Sequence, residues 1–83
     1  MLFTVELVKE GVAEVHLDEE GLDLLVERLS KLRKHQEPDH DHLMTPSWAG
    51  TELTEDKQGA DNDLIHMLTV YYHPHQGPLS TSG

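Results

Sequence analysis

Cysteine is absent from the 83-residue chain. Its absence excludes disulfides, thiol catalysis and cysteine-based zinc sites, and it fits a cytoplasmic setting. Basic residues are scarce: 6 Lys and Arg stand against 16 Asp and Glu, a net charge of −10. Such a surface repels phosphate, so nucleic acid is not expected as a partner. No apolar run approaches the roughly 18 residues needed to span a bilayer, and Met1 leads straight into strand-like sequence without a basic, apolar leader. A soluble, unexported protein with no membrane contact is expected. Aromatics are few, with Trp48, Tyr71, Tyr72 and Phe3 making the whole set. In a chain near the lower size limit for an adequate core, the place of each one matters.

The charges that are present divide along the chain. Arg28, Lys31, Arg33 and Lys34 gather in one stretch, whereas from His35 onward Glu37, Asp39, Asp41, Glu52, Glu55, Asp56, Asp61 and Asp63 face Lys57 alone. Charge complementarity suits that second half to a basic protein partner. Solubility alone accounts for it equally well.

Leu2 to Val8 is rich in β-branched and aromatic residues, with Phe3, Val5 and Leu7 on one side. Lys9-Glu10-Gly11 supplies a turn with a glycine for positive φ, and Val12 to Leu17 resumes the strand, so the two form a hairpin. At Asp18 the period changes. Asp18 is an N-cap, Glu19 and Glu20 suit the first turn, and Leu22, Leu25, Val26, Leu29 and Leu32 recur at helical spacing. Leu24 falls off that stripe, and Gly21 weakens the helix by about 1 kcal/mol relative to alanine. The helix is expected to end near Gln36, ahead of Pro38. His40–Thr45 is a short strand stopped by Pro46, Thr51–Asn62 a polar loop, and Leu64–Tyr72 one further strand. The fold class is therefore α+β, in the order β-β-α-β-β: a mostly antiparallel four-stranded sheet with one helix on one face. Residues 1–73 form a single domain, and 74–83 are expected to be a disordered tail.

Seven histidines invite a search for metal chemistry. His40 and His42 lie two apart in a strand and so share a face, near Asp39 and Asp41, while His73 and His75 flank Pro74. Short His-x-His pairs also arise by chance in strands, and no cysteine supports these. Asp61 and Asp63 with His66 present an acid–base set, against the plainer reading of solvated charge. No nucleophile turn or phosphate loop accompanies them. No catalytic residue, metal ligand or cofactor is therefore assigned.

Trp48 stands in a Ser-Trp-Ala-Gly turn just after Pro46 and before the acidic loop. It is either a lid on one end of the core or an exposed anchor for a partner, tryptophan being the commonest hot-spot type. Tyr71 and Tyr72 are adjacent in a strand and point to opposite faces.

The helix Leu22–Leu29, the run His40-Asp-His-Leu-Met-Thr-Pro-Ser-Trp-Ala-Gly50, Glu52-Leu-Thr-Glu55 and Leu64–Tyr71 together resemble the immunity protein 32 family of bacterial polymorphic-toxin systems. The resemblance covers Val5 to Tyr72, and His-Leu-Met-Thr-Pro-x-Trp-x-Gly is its most specific part. The family pattern reads Trp-Gly-Gly where this chain has Trp48-Ala49-Gly50, so a positive φ at Ala49 strains the turn. The resemblance implies a small non-catalytic cytoplasmic protein that binds and neutralises a toxin domain, here a basic one. The expected partner-binding residues are Trp48, Glu52, Glu55, Asp56, Asp61 and Asp63. The alternatives are a small metal-binding or enzymatic domain using His40, His42 and nearby carboxylates, or a self-associating regulatory subunit that forms a homodimer through the open sheet face.

Overall fold

The computed structural model describes residues 1–75. The expected hairpin forms: β1 (Phe3–Lys9) pairs antiparallel with β2 (Val12–Leu17), with Val5 opposite Val15, and Gly11 takes φ +80° in the turn, although β1 buries both faces from Phe3 to Glu6 and leaves Leu7 exposed. The helix α1 (Glu19–Arg33) follows at once. The Asp18 carboxylate accepts from the Gly21 N–H at 2.8 Å, which satisfies one of the donors left free at a helix N-terminus. The backbone N–H groups of Leu2 and Gly21 hold that carboxyl below its usual range. Lys34 caps the other end, so the helix stops short of Gln36, and His35 Nδ1 instead meets Asp39 Oδ2 at 2.7 Å in the link to the next strand.

The remaining strands correct the expected single sheet of four. They are β3 (Asp39–Met44), β4 (Asp63–Ile65) and β5 (Met67–Tyr72), and they join two antiparallel sheets: β2-β1-β4 and β3-β5. The segment read as one strand from Leu64 to Tyr72 is broken at His66. There the backbone carbonyl accepts from the Thr45 N–H at 3.0 Å, and Nδ1 shares a 2.7 Å hydrogen bond with the Thr45 hydroxyl. Ile65 on one side of this bend lies opposite Val5, and Met67 on the other lies opposite Met44. One chain segment thus serves two sheets.

The loop after Trp48 also joins the sheets. The Leu53 N–H donates to the Met44 carbonyl at 3.1 Å, and the Thr54 N–H donates to the Phe3 carbonyl at 2.7 Å. Leu53 is buried with Phe3, Val5 and Leu43, and Leu17, Leu24, Leu25, Ile65 and Leu68 pack around these four.

The helix face differs from the expected stripe. Gly21, Leu24, Leu25, Arg28 and Leu32 are buried or half-buried, whereas Leu22, Val26 and Leu29 are 50%, 53% and 42% exposed. Gly21 sets this rotation. It sits so close to the Leu2 backbone carbonyl that a Cβ would collide with it, and the Leu17 side chain lies beside it. With Gly21 fixed inward, Leu24, three residues on, must turn toward the core. Pro74 and His75 form a turn, and the rest of the expected tail lies outside the described residues.

Candidate partner-binding site

The Trp48 turn begins where β3 must stop. Pro46 cannot donate to a ladder, and Pro46–Trp48 winds instead into one 3-10 turn. The Thr45 carbonyl accepts from the N–H groups of Trp48 and Gly50, each at 2.9 Å, and Ala49 closes the turn at φ +65°. This is the left-handed conformation that penalises a Cβ, so the condition under which the turn would be strained, a positive φ at Ala49, is the one the structure has. The turn is held from outside as well. The Ser47 N–H donates to Glu55 Oε2 at 2.8 Å. Hydrogen bonds from the Ser47 hydroxyl and N–H keep the Glu55 carboxyl below its usual range, helped by Thr45 and His66.

Trp48 lies outside the core. Its ring stacks on His66, with centroids 5.8 Å apart and planes 7° from parallel, and the residue remains 53% exposed. His66 is itself fixed by Thr45, which is fully buried. The indole is thus a large apolar surface backed by an ordered imidazole, an offset arrangement that aromatic rings favour.

The acidic residues divide between the surface and the frame. Asp56, Asp61 and Asp63 are exposed, as is Glu55, which also braces the turn. Glu52 points inward. One of its oxygens accepts from the Met44 N–H at 3.0 Å, and the other lies 3.6 Å from Arg28 Nη1. Burial raises the Glu52 carboxyl, but the Met44 N–H, Thr51 and Arg28 together bring it below the usual range. Asp63 lies opposite Leu7 on β1, three residues before the His66 ring on which Trp48 stacks.

Two residues outside the expected set organise the region. Arg28 reaches from α1 to Asp41 on β3 as a two-pronged pair, Nε to Oδ2 at 2.6 Å and Nη2 to Oδ1 at 2.5 Å. The Asp41 hydrogen bond raises the Arg28 pKa, and the same contact lowers that of Asp41. Glu6, in the middle of β1, is fully buried. Its carboxylate accepts from Thr4 Oγ1 (2.6 Å), the Gln58 N–H (2.9 Å), the Gly59 N–H (3.0 Å) and Asn62 Nδ2 (2.9 Å). Burial pushes this carboxyl up, but the four donors prevail and hold it at about 2. Its anionic form therefore fastens the second half of the acidic loop. The sequence signal for Glu6 is slight: one acid in an alternating strand, on the side away from Phe3, Val5 and Leu7.

The histidines form a row on the outer face of β3-β5. His40 and His42 sit 4.7 Å apart edge to face, His40 stacks on Tyr71 at 5.0 Å, and Tyr71 on His73 at 6.3 Å. His42 Nδ1 is 3.1 Å from the Thr69 hydroxyl. Tyr71 is 62% exposed and Tyr72 half-buried. Among the described residues, no three His, Asp or Glu side chains converge as a metal-binding set. Among them, too, no helix is long and apolar enough to cross a membrane.

No protein-family model, curated protein or solved structure matches the chain.

Proposed function

We propose that this chain is a non-catalytic binding protein of the immunity kind, which holds a basic toxin domain against Trp48 and the acidic loop. The observation that carries this reading is the indole itself. The only tryptophan is half exposed on a turn braced by Thr45, His66 and Glu55, so docking there orders little that is not already ordered. Exposed Asp56, Asp61 and Asp63 supply the complementary charge along the flank, where it speeds encounter and selects the partner. Glu52 and Glu55 act by holding the turn. The resemblance of the His40–Gly50 run to the immunity protein 32 family supports the same role, and a cytoplasmic setting goes with it.

The experiment is titration of the purified chain with the toxin domain encoded beside its own gene, alongside a co-expression survival assay. Trp48→Ala is expected to weaken binding at least about tenfold, as for an interface hot spot, and to abolish protection. Asp56→Lys with Asp61→Lys is expected mainly to slow association and reduce its salt dependence. Binding and protection unchanged by W48A would overturn the reading.

A further inference from the structure

We propose that two copies of this chain pair through α1, antiparallel, and bury Leu22, Val26 and Leu29 of each against the other. These three residues are the exposed half of an apolar helix surface too wide for the two narrow sheets beneath it. With Arg33 they follow the 4-3-4 spacing of a short two-helix seam. Beside the seam the surface is shallowly hollowed. Val26, Leu29, Ser30, Arg33 and Lys34 line one hollow, and Leu29 and Arg33 also border a second with Leu32, Val70, Tyr71 and Tyr72. In an antiparallel pair, Val26 of one copy meets Leu29 of the other twice over, and Leu22 meets the aliphatic stem of Arg33.

Charge selects both the occupant and its direction. On α1 and its two caps, Asp18, Glu19, Glu20, Asp23 and Glu27 all precede Arg28, Lys31, Arg33 and Lys34. The rest of the chain holds the other 11 of the 16 acids and only Lys9 and Lys57. Along the helix two copies can therefore approach with acids and bases nearly matched, five against four in each. A parallel approach sets acid against acid, whereas an antiparallel one brings Asp23 and Glu19 to Arg33 and Lys34 of the second copy. Arg28 stays with Asp41, and Lys31 with Glu27 at 3.2 Å, so neither is needed at the seam. The contact lies on the helix, and of the outer row His40, His42 and Tyr71 on β3-β5 only Tyr71 borders a hollow beside it.

Sedimentation equilibrium of the full chain from about 1 μM to about 1 mM covers the range of such a small contact. A reversible dimer is expected, and Val26→Glu should weaken it at least about tenfold with an unchanged circular dichroism spectrum. Val26→Asn provides the same readout should the glutamate variant fail to fold. Because the chain has no cysteine, Leu22→Cys and Arg33→Cys chains can report direction: mixed, they should cross-link to each other faster than L22C chains do to themselves. A monomer throughout, a dimer indifferent to both Val26 variants, or preferential L22C self-linking would each overturn the proposal.

Discussion

Asn62 and Glu6, 56 residues apart in sequence, meet at 2.9 Å in a buried hydrogen bond that ties the end of the acidic loop to the middle of β1. Around it the Gln58 and Gly59 N–H groups point at the same carboxylate, so one anion collects the donors of a whole loop segment. Among the described residues no buried side-chain nitrogen or oxygen lacks a partner, and this arrangement is a main reason.

The first prediction follows from that carboxylate. The Glu6 pKa falls from 4.5 to about 2 on folding, so the native state prefers the ionised form. The resulting stabilisation is fully present above the unfolded value and is lost as pH falls from 4.5 toward 2. Glu6→Gln removes one proton from the uptake on acid unfolding, so the slope of stability against pH becomes shallower in that window. At neutral pH the amide group sets a donor where N–H groups already point, and the variant should be less stable. Chemical unfolding across a pH series measures the slope, and faster hydrogen exchange at Gln58 and Gly59 locates the effect. An unchanged acid limb would contradict it.

The second prediction reverses a propensity rule. Alanine is normally better than glycine inside a helix by about 1 kcal/mol. Here a Cβ on Gly21 would strike the Leu2 backbone carbonyl, which cannot swing away as a flexible side chain could. Gly21→Ala should therefore destabilise the protein by about 1–3 kcal/mol, the range for overpacking. Thermal unfolding should show a fall of several degrees, and a rise would mean that the helix can lift off Leu2 cheaply.

The hairpin, the helix and its Asp18 cap were legible in the sequence because each rests on neighbours within a few residues. The Gly11 turn and the β3 stop at Pro46 were legible for the same reason. Long-range contacts decided what was not. Nothing local marks His66 as a bend, since its bonds go to Thr45 across the fold. The apolar stripe misled because Leu22, Val26 and Leu29 keep perfect helical spacing while Gly21 sets the rotation. At the candidate site, the prominence of Trp48 could be read from its turn, but the inward aim of Glu52 could not. That depends on Arg28, which the sequence presents only as one of four bases gathered in one stretch.

The third prediction concerns Ala49. Its φ of +65° penalises a side chain by roughly 1–2 kcal/mol, and the greater freedom of glycine in the unfolded chain offsets part of the gain. Ala49→Gly should stabilise by about 0.5–1 kcal/mol, raising the melting temperature by a few degrees in a domain of this size. Calorimetry tests this directly. A loss of stability would show that the alanine methyl makes a contact that outweighs its strain.

The fourth prediction treats the Arg28–Asp41 pair as the tie between α1 and β3. Both side chains are about three-quarters covered, and Arg28 also faces Glu52. Removing the guanidinium leaves Asp41 and Glu52 as neighbouring, partly desolvated carboxylates, which costs about 1–3 kcal/mol. Asp41→Asn keeps the shape and one acceptor, so its cost should be smaller than that of Arg28→Ala. Because Asp41 titrates below its usual range in the fold, its contribution is full at neutral pH and fades as pH drops into the acid region. The R28A variant should therefore be most different from the parent near neutrality and converge with it in acid. Since Glu52 also holds the Met44 N–H beside the Trp48 turn, Trp48 fluorescence in R28A should report a loosened turn before the core unfolds. Coincidence of the two transitions would instead make the turn and the core one cooperative unit.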